Sequence, residues 1–210
     1  MIASVRTGRR AVIRQTVAIG LLLTMRRVAV AQGDAGATAA DFIRRVGNEL
    51  PSLVDAAAGS PAERARLQAF IDRVADVDGV ARFCLGRFWT AASASQRRAY
   101  LAAFHLVLLR NVTSWLGNHR TGSAHVTIEK PLAAGQDIDV PTIVDRGGDP
   151  PAHITWVVTQ GSGDPKIIDL VVEGVSLRLT VRNDYGSFIA HNNGDVGALI
   201  RALEQQANPG

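Results

Sequence analysis

A chain of 210 residues, 47% apolar and 20% charged, has the composition of a globular domain with a real core, which excludes a disordered chain or a membrane bundle. Its formal charge of +4 and pI near 10.0 would suit a nucleic-acid or membrane partner, but Arg6, Arg9, Arg10, Arg14, Arg26 and Arg27 all lie in the first 31 residues, which hold no acid. From residue 32 onward 17 basic side chains face 19 acidic ones, a net charge of −2, and that excludes nucleic-acid binding for the remainder.

Residues 1–31 read as a secretory leader. A basic stretch precedes the apolar run "VAIGLLLTM" (17–25), and "AVA" ending at Ala31 fits small-residue cleavage before Gln32. The run is too short for a membrane span. "TGRRAVIR" has a twin-arginine look, and Arg26-Arg27 after the apolar run is unusual for general secretion, so the export route stays open. An uncleaved membrane anchor is the alternative reading of the segment. The lone cysteine, Cys84, rules out an internal disulfide framework, so packing must carry the fold even in an oxidising compartment.

Residues 32–40, "QGDAGATAA", are expected to form a disordered mature N-terminus, followed by a single domain over 41–207. Phe42, Val46, Leu50 and Leu53/Val54 recur at helical spacing, and Pro51 should kink or split that helix. "SPAE" (60–63) predicts a helix start, with Ser60 as cap, Pro61 in the first turn and Glu63 closing a capping box. Leu67, Phe70, Ile71 and Val74 form its buried face. Asp78 is expected to cap a short third helix through Val80, Phe83 and Cys84. The longest helix starts at Ser93 with Gln96 as its capping partner, runs through Tyr100, Phe104, Leu108, Val112 and Leu116, and stops near Gly117-Asn118.

After Thr121 the apolar period changes to two. Val126/Ile128, Ile138/Val140 and Ile154/Trp156/Val158 predict three strands, with 166–172 and 175–182 as two more. Pro141 places the second strand on an edge or at a bend. "AAGQD", "RGGDPP" and "GSGDP" read as turns. "DYGSFIA" suggests a short helix, and Asp195 caps a last one through Val196, Leu199, Ile200 and Leu203. The pattern is an α+β fold of NTF2-like shape: N-terminal helices packed on a curved antiparallel sheet of about five strands, closed by C-terminal helices.

Motifs for catalysis are scarce. His105, His119, His125, His153 and His191 show no metal-ligand spacing, and neither a P-loop nor a nucleophile elbow is present. "GSGDPK" lacks the third glycine and following helix of a dinucleotide fingerprint. Cys84, between Phe83 and Leu85, reads as a packed thiol rather than a nucleophile. One enzymatic reading remains, in which Asp169 or His153 acts as a base in an apolar cavity; a solvated charge on the outer face of the sheet is the simpler reading. No catalytic residue, metal or cofactor is assigned.

The stretch "DLVVEGVSLRLTVRNDYGSF" (169–188) mixes aliphatic and charged residues. With Glu173-Gly174 as a two-residue turn, Val172 faces Val175, Leu170 faces Leu177 and Ile168 faces Leu179, all on one face. Opposite, Val171 meets Ser176 and Asp169 meets Arg178. Around this hairpin a resemblance enters. "KIIDLVVEGVSLRLTVRNDY" (166–185) with "GDVGALIRAL" (194–203), and "ARFCLGRFWTAASASQRRAYLAAFHLVL" (81–108), resemble the toluene-tolerance (MlaC) family of periplasmic phospholipid carriers that maintain outer-membrane lipid asymmetry. The resemblance spans roughly residues 41–205. It carries over Leu85, Gly86, Arg87, Phe88 and Trp89, then Asp169, Glu173, Gly174, Val175, Ser176 and Arg182. Tyr185 stands where Phe or Trp is usual, Cys84 interrupts the entry to the Leu-Gly motif, and Arg replaces much of the usual Lys.

The resemblance implies a soluble carrier without catalytic group or cofactor, lodging acyl tails in an apolar cavity. Its expected lining is Phe88, Trp89, Phe104, Leu108, Val112, Trp115, Ile154, Trp156, Val158, Ile168, Leu170, Val172, Val175, Leu177, Leu179, Tyr185 and Phe188, with some of these plain core and Arg87 and Arg182 at the mouth. The implied partners are a phospholipid, an inner-membrane ABC transporter with an MCE-type subunit, and an outer-membrane lipoprotein/porin complex; the protein would be a periplasmic monomer. A hopanoid or other polycyclic lipid as cargo, a small cavity enzyme, and a purely structural module are the rival readings.

Overall fold

The structure is a computed structural model that describes the backbone of residues 17–57, 59–118, 125–145, 150–159 and 164–208, with side chains from residue 35 onward apart from those of 115–118. The leader's first half therefore lies outside the described residues, as do the central residues of the "RGGDPP" and "GSGDP" turns. Helix α1 (Val17–Ala57) continues through Pro51. Residues 35–40 belong to it, and Ala39 and Ala40 are buried, so the expectation of disorder over 32–40 fails there. Ala39, Ala40, Ile43 and Val46 repeat at three to four residues, so a helix gives them one face to bury, and that outweighs the polar look of the segment.

Helix α2 (Pro61–Val74) begins as expected: the Glu63 N–H donates to Ser60 Oγ at 3.2 Å, with Pro61 in the first turn. The Glu63 carboxylate does not close a box; it accepts from Arg66. Helix α3 (Val77–Leu85) is capped by Asp76, whose carboxylate accepts from the Gly79 N–H at 3.0 Å, and not by Asp78. A Cβ on Gly79 would lie 2.0 Å from that carboxylate, so glycine at this position lets the nearer aspartate cap. A single turn, α4 (Phe88–Ala91), leads to α5 (Ala94–Asn118). Ser93 and Gln96 form the reciprocal box there: Gln96 N–H to Ser93 Oγ at 3.2 Å, and Ser93 N–H to Gln96 Oε1 at 2.9 Å.

Among the described residues the sheet has six antiparallel strands: β1 (His125–Ile128), β2 (Leu132–Ala134), β3 (Asp137–Asp145), β4 (Ala152–Thr159), β5 (Lys166–Val172) and β6 (Val175–Ser176). Their order is β1-β3-β4-β5-β6, with β2 also on β3. Strand β2 lies partly inside the "AAGQD" stretch read as a turn. The reversal is confined to Gly135 (φ +70°) and Gln136. Pro141 is not on an edge strand. Its carbonyl accepts from the Glu129 N–H at 2.9 Å, so the side of the residue that lacks an N–H faces the break between β1 and β2, where no ladder bond is lost.

The largest departure comes after the Glu173-Gly174 turn. Glu173 (φ +49°) and Gly174 (φ +81°) supply the two positive dihedrals of a tight hairpin, and Val172↔Val175 and Val171↔Ser176 pair in the expected register. The strand then ends. Helix α6 (Leu177–His191) starts at once, with Ser176 Oγ accepting from the Leu179 N–H at 3.2 Å. Leu177 and Leu179 therefore do not face Leu170 and Ile168. Both are exposed on α6. Helix α7 (Val196–Ala207) closes the chain, capped by Asp195 as expected.

Two apolar clusters result. One joins the helices, around Leu67, Leu85, Tyr100, Phe104, Ile189 and Leu203. The other joins the first part of α1, and Phe70, to Ile138, Val140 and Val158 of the sheet. Leu50 and Leu53 of α1 pack against both.

Candidate functional site

The fold brings the two halves of the sequence signature together. Gly86 follows α3 at φ +57° and ψ −130°, a conformation open to glycine. The Arg182 guanidinium lies so close that a Cβ on Gly86 would sit 3.3 Å from its carbon. Arg182 donates to the Phe83 carbonyl at 3.3 Å, and both Arg178 and Arg182 stack on the Phe83 ring, each 4.8 Å from its centroid. Phe83, which the sequence places only on the apolar face of the third helix, precedes Gly86 by three residues and is the ring on which this junction is built. The two arginines expected at a mouth, Arg87 and Arg182, are both exposed and flank this turn.

Asp169 anchors the junction from the sheet. Only 7% exposed, it accepts from the N–H groups of Leu170 (2.8 Å) and Arg178 (3.0 Å) through Oδ1, and from the Ser176 hydroxyl (2.5 Å) through Oδ2. Arg178 Nε stands 3.4 Å from Oδ2, so the expected Asp169–Arg178 pair forms, although through a helix start and not across a hairpin. Both oxygens are committed, so Asp169 is neither a solvated outer-face charge nor a free base. His153, the other proposed base, is an exposed residue whose backbone N–H donates to Glu173 Oε1 at 2.7 Å. Cys84 packs beneath, its thiol 3.6 Å from the Arg178 carbonyl. Burial first, and the Asp169 charge second, push the Cys84 thiol up to about 12, which keeps it protonated and unreactive.

One face of the sheet carries Ile138, Val140, Thr142, Ile154, Trp156, Val158, Leu170, Val172 and Val175, matched by the pairings Ile138↔Val158, Val140↔Trp156, Thr142↔Ile154, Trp156↔Leu170 and Ile154↔Val172. Helix α1 covers the end at Ile138, Val140 and Val158. Trp156, half-buried, packs at the margin of that cover; beyond it Leu170 and Val172 are half-buried and Val175 is exposed. The polar atoms on this face are satisfied within it. The Trp156 indole N–H donates to the Thr142 hydroxyl at 3.2 Å, and that hydroxyl donates to the Ile154 carbonyl at 2.8 Å. Thr142 is in phase with Ile138 and Val140, so the alternation alone places it on this face, where it is buried.

The remaining expected lining residues divide by layer. Phe88, Trp89, Phe104, Leu108, Val112 and Tyr185 belong to the helical cluster. Tyr100, Phe104 and Tyr185 form a ring triad there, with centroids 5.9–6.5 Å apart. Burial raises both tyrosine hydroxyls above their ordinary range. Ile168 is half-buried at the irregularity where β5 slips against β4. Phe188 is exposed on α6, and the Trp115 side chain lies outside the described residues.

The family model for the MlaC protein matches residues 46–205, a span that holds both signature segments. The chain belongs to the MlaC family. A solved structure of a phospholipid-binding protein from Ralstonia solanacearum, in complex with a phospholipid, shares the fold at a TM-score of 0.68. Its sequence is 22% identical, and the alignment covers 80% of this chain and 95% of that one. The α+β architecture deduced from periodicity is thus the MlaC fold, with a short β6 and a capped α6 where a longer hairpin was expected. MlaC membership points to a binding or transport protein, in keeping with the committed carboxylate of Asp169. Among the described residues no helix is long and apolar enough to cross a membrane.

Proposed function

We propose that this protein holds the acyl tails of a phospholipid between its sheet and its helical layer and carries the lipid through the periplasm. The observation that carries the reading is the apolar sheet face running past its α1 cover, from Leu170 to Val172 and Val175, with Trp156 at the margin of that cover and its indole and hydroxyl groups paired inside the sheet. The opposite wall would come from Leu108 and Val112, half-buried residues at the margin of the helical cluster. The Ralstonia protein of the same fold, bound to a phospholipid, supports this choice of cargo.

Physics explains the need for such a space. Two acyl tails hold roughly 25–30 methylenes, and exposing them would cost on the order of 20–25 kcal/mol at about 0.8 kcal/mol each. A carrier must hide that surface, yet bind no tighter than the membranes it serves. Arg87 and Arg182 would flank the mouth, where a head group stays in water. Residues 1–31 act as the export signal, cleaved near Ala31. The donor and acceptor are an inner-membrane ABC transporter with an MCE-type subunit and an outer-membrane lipoprotein/porin complex. Native mass spectrometry of the exported protein tests the reading: it should carry a phospholipid-sized adduct, and Trp156→Asp should abolish it. A lipid-free protein that extracts nothing from vesicles would overturn the proposal, and a polycyclic-lipid adduct would redirect it to hopanoid-like cargo.

A further inference from the structure

The turn between α3 and α4 gathers positive charge and aromatic surface in one place. Arg82 and Arg97 lie over the Trp89 ring at 5.8 and 5.4 Å, Arg87 over the Phe88 ring at 5.0 Å, and Arg178 and Arg182 over Phe83. Only two carboxylates answer these five guanidinium groups among the described residues: Asp169 pairs with Arg178, and Asp78 approaches Arg82 at 4.0 Å. Arg97 donates to the carbonyls of Trp89 and Thr90, and Arg182 to that of Phe83, so their charge is held in place without being neutralised. Phe88 and Trp89 are half-buried, and Leu179, one turn before Arg182, is 49% exposed. This concentration of positive charge stands on a chain whose residues from 32 onward total −2.

We infer that this face seats the protein on an anionic bilayer surface. Guanidinium groups match lipid phosphates in geometry, and half-buried indole and phenyl rings suit the head-group layer, where an apolar body and a polar rim are both satisfied. The arginines are pre-aimed by their rings and carbonyls, so little side-chain freedom is lost on contact. The inference goes beyond the carrier reading and does not depend on which lipid the cavity holds.

Co-sedimentation with vesicles tests it, using phosphatidylethanolamine–phosphatidylglycerol vesicles against pure phosphatidylcholine, at about 0.05 M and about 0.5 M salt. Binding should favour the anionic vesicles and weaken at the higher salt. Arg87→Gln should lower the affinity about fivefold, the effect of one basic residue near an anionic surface, and Arg87→Glu should lower it further. Arg64→Gln, at an exposed position on α2, should change nothing. Equal binding to both vesicle types, or an Arg87→Gln protein that sediments like the parent, would overturn the inference. If the parent protein still showed its lipid adduct by native mass spectrometry, the carrier reading would stand without it.

Discussion

Asp169 shows how much one carboxylate can decide. It ends a strand, starts a helix and neutralises a half-buried guanidinium, all through the two oxygens of a residue only 7% exposed. Asp169→Ala should therefore cost about 3 kcal/mol in chemical denaturation, because it leaves Arg178 uncompensated beside Phe83 and Cys84. Ser176→Ala, which removes the helix cap and the hydroxyl's bond to Asp169 but leaves the charge pair in place, should cost about 1–2 kcal/mol. A similar loss from both variants would mean that the charge contributes nothing beyond the cap. The Asp169–Arg178 partnership could be read from the sequence, because any register of the hairpin that buries Val172 and Val175 sets those two residues near each other. Its geometry could not, since a strand pairing and a helix cap both satisfy that proximity.

At the level of elements, helix α6 carries the same lesson. The pattern Leu177-Arg178-Leu179-Thr180-Val181 alternates as a strand does, but Val181, Tyr185 and Ile189 recur every four residues, which is a helical face. The helix wins because Ser176 and Asp169 satisfy its first N–H groups, and because Tyr185 and Ile189 reach the helical cluster. Proline substitutions separate the two conformations. Leu177 is the first residue of α6, and Ser176 before it is extended at φ −70° and ψ +121°, so Leu177→Pro should cost no more than about 1 kcal/mol. Thr180→Pro would strip a backbone bond in the first turn and clash with the Ser176 carbonyl, costing about 3 kcal/mol. In a strand running to residue 182 both would be comparably harmful, a result that thermal unfolding followed by circular dichroism would reveal.

For the whole molecule, what matters is that the described residues make two apolar clusters bridged by α1. A cargo seated between the layers would add the contacts that the protein alone leaves unmade. Stripping lipid from the purified protein should then lower the thermal midpoint by about 5–10 °C, the effect of losing a ligand held at roughly a hundred times its dissociation constant. Scanning calorimetry before and after delipidation measures this, and an unchanged midpoint would argue against a ligand buried between the layers.

Features whose signals are local can be read along the chain. Ser60, Ser93 and Asp195 cap their helices because the capping side chain and its N–H lie within three residues of each other. The switch to period two marked the sheet, and Glu173-Gly174 marked its tightest turn. The family signature was legible for a similar reason, since its residue types stand in order along the chain. Where that order leads depends on long-range packing. It ended the last strand at Ser176, moved the third helix cap from Asp78 to Asp76, and buried Ala39 in a segment that looks disordered alone. It also set Arg182 against Gly86, nearly a hundred residues away in sequence, and divided the greasy residues between two layers. Apolar character says that a side chain will leave water. Which surface receives it depends on neighbours that the linear pattern does not specify.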